Sequence, residues 1–210
     1  MLHTKRLVMG GNSGAWIYAT FTTVYATAFT SAAMSLHGGQ RAFRRVALEG
    51  NIAAGKTTLL KLIEDEVGYA VVPEPISKWQ SVGPDGAKSC GGNLLDCFYK
   101  DPQRWGFTFQ MYAFLSRTMA QVEFHQNISS MRHSRKAVSD NEASVVFFER
   151  SVLSDRHVFA ENGRETGLLS PVEWGVYQQW HQWIMREHRG LALDGLVYLR
   201  TSPGTCLGRL

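Results

Sequence analysis

Cysteine is scarce in this chain. There are three among 210 residues, Cys90, Cys97 and Cys206, and none is paired as C-x-x-C. That excludes a disulfide framework and the common zinc and redox spacings. An odd number of thiols without framework spacing fits a reducing compartment, where they serve as small packing residues. Acidic residues are absent from the first 48 positions, and no Asp, Glu, Lys or Arg occurs from Leu7 to Gln40. No internal repeat or low-complexity tract is present. The basic excess is also local. The net charge of +4 arises from Lys5, Arg6, Arg41, Arg44 and Arg45, and the remainder carries 17 basic against 18 acidic residues. Bulk charge therefore gives no argument for nucleic-acid binding.

What is there suits one α/β domain with a real core: 44% hydrophobic and 19% charged residues. Residues 1–40 stand apart. Their Ser, Thr and missing acids fit a mitochondrial transit segment, although arginine is sparse at the start. Lys5-Arg6 before an apolar run fits a secretory signal, but threonines interrupt that run. A membrane span is disfavoured by the recurrent Thr and Ser, and no stable membrane insertion is expected. The transit reading is preferred over a disordered leader, with a mitochondrial location ahead of a cytoplasmic one. Residues 1–40 are set outside the fold, and 41–210 are taken as the domain.

Gly50-Asn51-Ile52-Ala53-Ala54-Gly55-Lys56-Thr57 fits G-x-x-x-x-G-K-[ST]. The apolar run Val46-Ala47-Leu48 precedes it and a helical pattern from Thr58 follows, the context of a phosphate-binding loop. Glycines let main-chain N–H groups turn toward an anion, and the helix start adds its positive dipole end. Lys56 can reach the β- and γ-phosphates, and the Thr57 hydroxyl can sit on Mg2+. Thr58 completes the donor-side set.

Beyond the loop, strands and helices alternate. Short strands are predicted at Ala70–Val72, Val145–Phe148 and Leu196–Leu199. Helices are predicted from Thr57 to Glu66, at about Asn93–Tyr99, from Asp101-Pro102 to about Gln126, from Ser151 to Asn162, from Ser170-Pro171 to about His188, and from Ser202-Pro203 onward. Residues 80–92 and 127–142 read as connections. Alternation implies βαβ units: an α/β fold of the P-loop NTPase type, three layers around a parallel sheet, with ligands outside the carboxyl ends of the strands.

Several candidates fall at those ends. Glu149 could join Thr57 in a magnesium site, and Arg150 could clamp a transferring phosphoryl group. Strand alternation would point the two to opposite sides; a structural salt bridge is the competing explanation. Glu74 is stiffened by Pro73 and Pro75, which suits a general base on a hydroxyl, whereas spacing alone favours a solvated acid. Gln110, Ala113 and Arg117 share a helix face flanked by Phe109 and Phe114. A glutamine amide could read a nucleobase edge, and the alternative is an ordinary packed helix. Trp174, Tyr177, Trp180 and Trp183 read as core packing, and His181 and His188 as structural.

Taken together, Arg45 through Thr57, Pro73-Glu74-Pro75 with Trp79, Arg104-Trp105 with Phe107-Thr108-Phe109-Gln110, and Phe148-Glu149-Arg150-Ser151 with Ser154-Asp155-Arg156 resemble the deoxyribonucleoside kinases. Gly92-Asn93-Leu94-Leu95 and Trp180-His181 are most similar to the deoxycytidine and deoxyguanosine kinase branch. The resemblance covers about residues 44–210. It implies phosphoryl transfer from ATP, with Mg2+, to the 5′-hydroxyl of a deoxyribonucleoside. Glu74 would be the general base, and Lys56 and Arg150 would stabilise the phosphoryl group. Thr57 and Glu149 would hold magnesium, Gln110 would read the base, and Trp79 and Phe159 would line its pocket. Tyr99 would bond the sugar 3′-hydroxyl, and Arg117 with Asp155 would form a polar pair on the base side. Ala113, a small residue, points away from thymidine. A homodimer through the long helices 103–126 and 171–188 is the expected assembly. The chain stops before the family's arginine-rich lid, so a weak or silent enzyme that binds nucleoside or joins a full-length relative is the alternative. A switch-type nucleotide hydrolase is a further one, disfavoured by the acceptor-like Glu74 and Gln110.

Overall fold

The computed structural model describes residues 24–27, 43–83, 91–134 and 144–210. These fall into two compact units, one of residues 24–27, 43–73, 144–150 and 192–210, the other of 74–83, 91–134 and 151–191.

The first unit is built on a sheet. Its strands are β1 (Val24–Thr27), β2 (Phe43–Gly50), β3 (Ala70–Val72), β4 (Ser144–Glu149) and β5 (Gly195–Leu199), in the order β1-β5-β2-β4-β3. β2 lies at the centre, parallel to β4 and β5, and β3 runs parallel to β4. The α/β class and the parallel core are as the alternation of elements implies. β1 is a departure. It lies within residues 1–40, which were set outside the fold, yet it pairs antiparallel with β5 from Val24↔Leu199 to Thr27↔Leu196. Its sequence VYAT is β-prone, and the edge of β5 offers main-chain groups that need partners. The rest of the proposed leader lies outside the described residues.

Helix α1 (Lys56–Leu62) continues into a π-helical turn, Ile63–Val67, which ends at Gly68 with φ 78°. Leu59, Leu60 and Ile63 pack with Leu48, Phe147, Leu199 and Cys206, the last on α8 (Pro203–Leu207). Buried Cys206 and half-buried Cys97 are both free thiols, and Cys90 lies outside the described residues.

The second unit is helical: α2 (Ile76–Gln80), α3 (Leu94–Lys100), α4 (Pro102–Ser134), α5 (Val152–Ser154) running through a π-helical stretch, Asp155–Ala160, into α6 (Glu161–Glu165), and α7 (Pro171–Glu187). Local chemistry sets the starts. The Asn93 side chain accepts from the Asp96 N–H, Asp101 Oδ1 accepts from the Arg104 N–H, and Ser170 and Glu173 form a reciprocal capping box ahead of Pro171. Two expectations need correction. α2 was not foreseen. α4 does not end near Gln126, because neither Gly nor Pro occurs between Phe107 and Ser134 and polar residues alone do not stop a helix.

The core of this unit joins Phe114, Val152, Ala160, Tyr177, Ile184 and Leu191. On α7 the buried stripe is Tyr177, His181 and Ile184. Trp180 and Trp183 are therefore not core residues, being 50% and 46% exposed on the adjoining face with Val172 and Val176. No helix among the described residues is long and apolar enough to cross a membrane.

Candidate functional site

The phosphate loop leaves β2 at Gly50. A Cβ there would meet the Leu199 carbonyl oxygen at 2.8 Å, so β5 passes too close for any side chain. The loop then curls through left-handed backbone at Ala53 (φ 56°) and Gly55 (φ 98°). Its outward carbonyls are tied down: Thr201 Oγ1 donates to the Ala54 oxygen at 2.9 Å, and Arg209 Nη1 donates to the Ala53 and Ala54 oxygens at 3.3 and 3.4 Å. Lys56 is buried and donates from Nζ to the Asn51 oxygen at 2.9 Å. Ile52, Thr57 and Thr58 lie at the surface.

At the end of β4, Glu149 accepts from the Thr57 hydroxyl at 2.9 and 3.2 Å. Arg150 turns into left-handed backbone, φ 66°, while its N–H donates to the Leu48 oxygen at 3.0 Å. A non-glycine residue held there costs on the order of 1–3 kcal/mol. The turn also overrides strand alternation. Glu149 and Arg150 were expected to face opposite sides, but Arg150 Nη1 donates to the Gly50 oxygen at 3.1 Å, so both side chains reach the phosphate loop. The hydroxyl and carboxylate of Thr57 and Glu149 are oxygen ligands of the kind magnesium takes alongside water and phosphate. They fit that ion. Among the described residues no group of three or more His, Cys, Asp and Glu is placed to hold a metal.

In the second unit the polar centre is Arg117 on α4. Its Nη2 lies 2.5 Å from Glu74 Oε1, and its Nη1 bonds Asp155 Oδ1. Asp155 is fully buried and takes two more donors at Oδ2, Gln110 Nε2 and the Tyr177 hydroxyl, each at 2.8 Å. Burial pushes the Asp155 carboxyl above its usual range, and Arg117 pulls against that shift. Burial and the neighbouring Asp155 push the Tyr177 hydroxyl far above its ordinary value, which keeps it protonated as a donor. Ala113, one turn before Arg117, is fully buried.

Aromatic rings surround this centre. The Arg117 guanidinium lies over Trp79 at 5.1 Å and over Phe159 at 5.5 Å. Trp79 is buried, donates from Nε1 to Ser116 Oγ at 2.8 Å, and meets Phe109 edge-on at 5.4 Å. Phe109 in turn is stacked on Phe98 at 4.7 Å. Tyr99 stands outermost, 67% exposed. Glu74, Trp79, Phe109, Gln110, Arg117, Asp155 and Phe159 thus form one connected cluster.

The family model for deoxynucleoside kinases matches residues 46–210. The chain belongs to the deoxynucleoside kinase family. It is 45% identical over 183 residues to deoxycytidine kinase 2 of Gallus gallus, covering 81% of this chain and 65% of that protein. It is 40% identical over 177 residues to deoxycytidine kinase of Homo sapiens, covering 80% and 65% respectively. It is 37% identical over 175 residues to mitochondrial deoxyguanosine kinase of Xenopus laevis, covering 80% and 63%. The chain thus spans about two thirds of the length of these relatives.

In this member of the family, sequence reasoning missed three residues bonded to or packed on these groups. Tyr177 was read as core alone; it is core, and it also donates to Asp155. Phe98 carried no signal, because its partner lies eleven positions away on another helix. Arg209 had only its proximity to the strand end of β5 to mark it, and its bonds to the phosphate loop depend on how α8 folds back.

Proposed function

We propose that this protein transfers the γ-phosphoryl group of ATP to the 5′-hydroxyl of a deoxyribonucleoside, with deoxycytidine or a purine deoxynucleoside preferred to thymidine. The bond from the 5′-oxygen to the γ-phosphorus forms, the bond from that phosphorus to the β,γ-bridging oxygen breaks, and ADP leaves. The hydroxyl proton passes to the Glu74 carboxylate. Arg117 holds that carboxylate in place, and Pro73 and Pro75 restrict its backbone.

Lys56 and Arg150 supply positive charge at the phosphate loop, where charge on the transferring group is spread over three oxygens. Thr57 and Glu149 would hold Mg2+, which when bound neutralises charge on the phosphate oxygens. On the acceptor side, Gln110 and the Arg117–Asp155 pair are the polar groups for the base, with Trp79, Phe109 and Phe159 as apolar walls, Ala113 as the small residue and Tyr99 for the 3′-hydroxyl. The acceptor class is supported by relatives named deoxycytidine kinase and deoxyguanosine kinase. The observation that carries the reading is Arg117 braced between Glu74 and Asp155 inside an aromatic cluster, in a chain that also holds a complete phosphate loop.

The test is radiolabelled phosphate transfer from ATP to each of the four deoxynucleosides. Transfer to deoxycytidine or deoxyguanosine exceeding that to thymidine is the expected result, and equal or better use of thymidine would remove the specificity assignment.

A second reading concerns assembly. Val172, Val176, Trp180 and Trp183 form one exposed apolar stripe on α7, and Leu115 and Met119 are exposed on α4. Such faces favour pairing through these helices, either between copies of this chain or with a longer relative, in which case nucleoside binding without turnover would suffice. The acid-free N-terminal stretch favours a mitochondrial over a cytoplasmic location.

A further inference from the structure

We infer that Phe98 sets the width of the acceptor-base half-site and thereby selects one-ring over two-ring bases. The inference rests on the acceptor reading above.

Phe98 lies half-buried on α3, and its ring lies flat on Phe109, with centroids 4.7 Å apart and planes 10° from parallel. Phe109 is held at its edge by Trp79, whose plane is turned 79°. Trp79 is itself fixed by its bond to Ser116 and by the Arg117 guanidinium. Phe109 is therefore gripped on a face by Phe98 and at an edge by Trp79, directly beside Gln110. Of the two grips, only Trp79 is locked by a hydrogen bond. Removal of the Phe98 ring frees a face of Phe109 and lets that ring swing toward α3. The Phe98 ring also contacts Tyr99, with centroids 5.7 Å apart. Phe98 thus joins the base-side aromatics to the residue assigned to the sugar. A flat wall in van der Waals contact discriminates by size, because a base with a second ring needs the space the wall occupies.

A stacked aromatic pair contributes about two- to tenfold in an equilibrium constant beyond the area it buries. The experiment is calorimetric titration of the 210-residue chain with deoxycytidine and with deoxyguanosine, for the wild type and for Phe98→Ala, Phe98→Leu and Phe98→Tyr. Phe98→Leu keeps part of the apolar volume but loses the flat face that holds Phe109, and it guards against loss of folding in Phe98→Ala. Phe98→Tyr keeps the flat face. The expected result is a ratio of affinities that moves toward deoxyguanosine by about three- to tenfold in Phe98→Ala and Phe98→Leu and stays at the wild-type value in Phe98→Tyr. Equal weakening of both ligands, or an unmoved ratio in Phe98→Ala and Phe98→Leu, overturns the assignment of Phe98 alone. A wild-type chain that binds neither deoxycytidine nor deoxyguanosine overturns the acceptor reading and this inference with it.

Discussion

Arg117 and Glu74 lie 2.5 Å apart at the edge of a buried cluster, joined across 43 positions of sequence. The same guanidinium bonds Asp155, so one cation serves two carboxylates with little exposure to water. Removing one partner of a buried pair costs about 3–5 kcal/mol, because the other charge stays buried. Arg117→Ala should therefore lower unfolding stability by about that amount in urea titrations. Arg117→Lys should recover only part of it, since an ammonium cannot bond both carboxylates through a planar fork.

Glu149→Gln should separate stability from chemistry. The amide can still accept from the Thr57 hydroxyl, so the melting temperature should change by no more than a few degrees. The charge at the proposed magnesium position is lost, and phosphate transfer should fall by about a hundredfold or more. Thr57→Val removes the hydroxyl and should weaken nucleotide binding in the presence of magnesium more than in its absence. Calorimetry with and without the ion measures that difference.

Gly50→Ala places a methyl group 2.8 Å from the Leu199 carbonyl oxygen, a main-chain atom that cannot rotate away. The strand β5 or the loop must shift. Destabilisation of about 1–3 kcal/mol is expected, together with loss of nucleotide affinity. Gly68→Ala, where nothing lies within 4 Å of the added group, should leave nucleotide affinity unchanged although its left-handed backbone is strained. Thermal unfolding and nucleotide titration of both variants test the contrast.

His181 provides a pH dependence. Burial holds its pKa below the usual 6.5, and the charge of Arg156 lowers it further; His157 adds to this and a bond to the Val152 backbone opposes it. The unfolded chain therefore binds a proton there more readily than the folded one. Stability from this group is fully present above pH 6.5 and is lost as pH falls below that value toward the depressed folded-state pKa. The unfolding free energy of the wild type should fall relative to that of His181→Phe from pH 7.5 to pH 5, as read by urea titrations across that range.

Trp180 and Trp183 meet edge-to-face at 5.9 Å while remaining about half exposed. If α7 pairs with a second chain, Trp180→Glu together with Trp183→Glu should convert a dimer to a monomer in sedimentation equilibrium. A wild-type monomer at all accessible concentrations would remove the assembly proposal.

Single residues foretold the curled loop between β2 and α1, because its conformation is local: glycines where backbone must curl, a lysine and a threonine at fixed offsets, and a strand and helix on either side. The parallel core and most helix starts were equally legible, since Pro102, Ser170-Pro171 and Ser202-Pro203 act on their own neighbours. Family resemblance supplied the pairing of Arg117 with Asp155; spacing alone did not. Tertiary structure alone decided the rest. The antiparallel β1 depends on a free strand edge 170 residues away in sequence. The turn at Arg150 redirects its side chain against strand alternation. Phe98 meets Phe109, and Tyr177 meets Asp155, only after separate helices have packed. Residue type and spacing fix what a segment can do by itself, whereas contacts between distant segments depend on where packing brings them, and no periodicity records that.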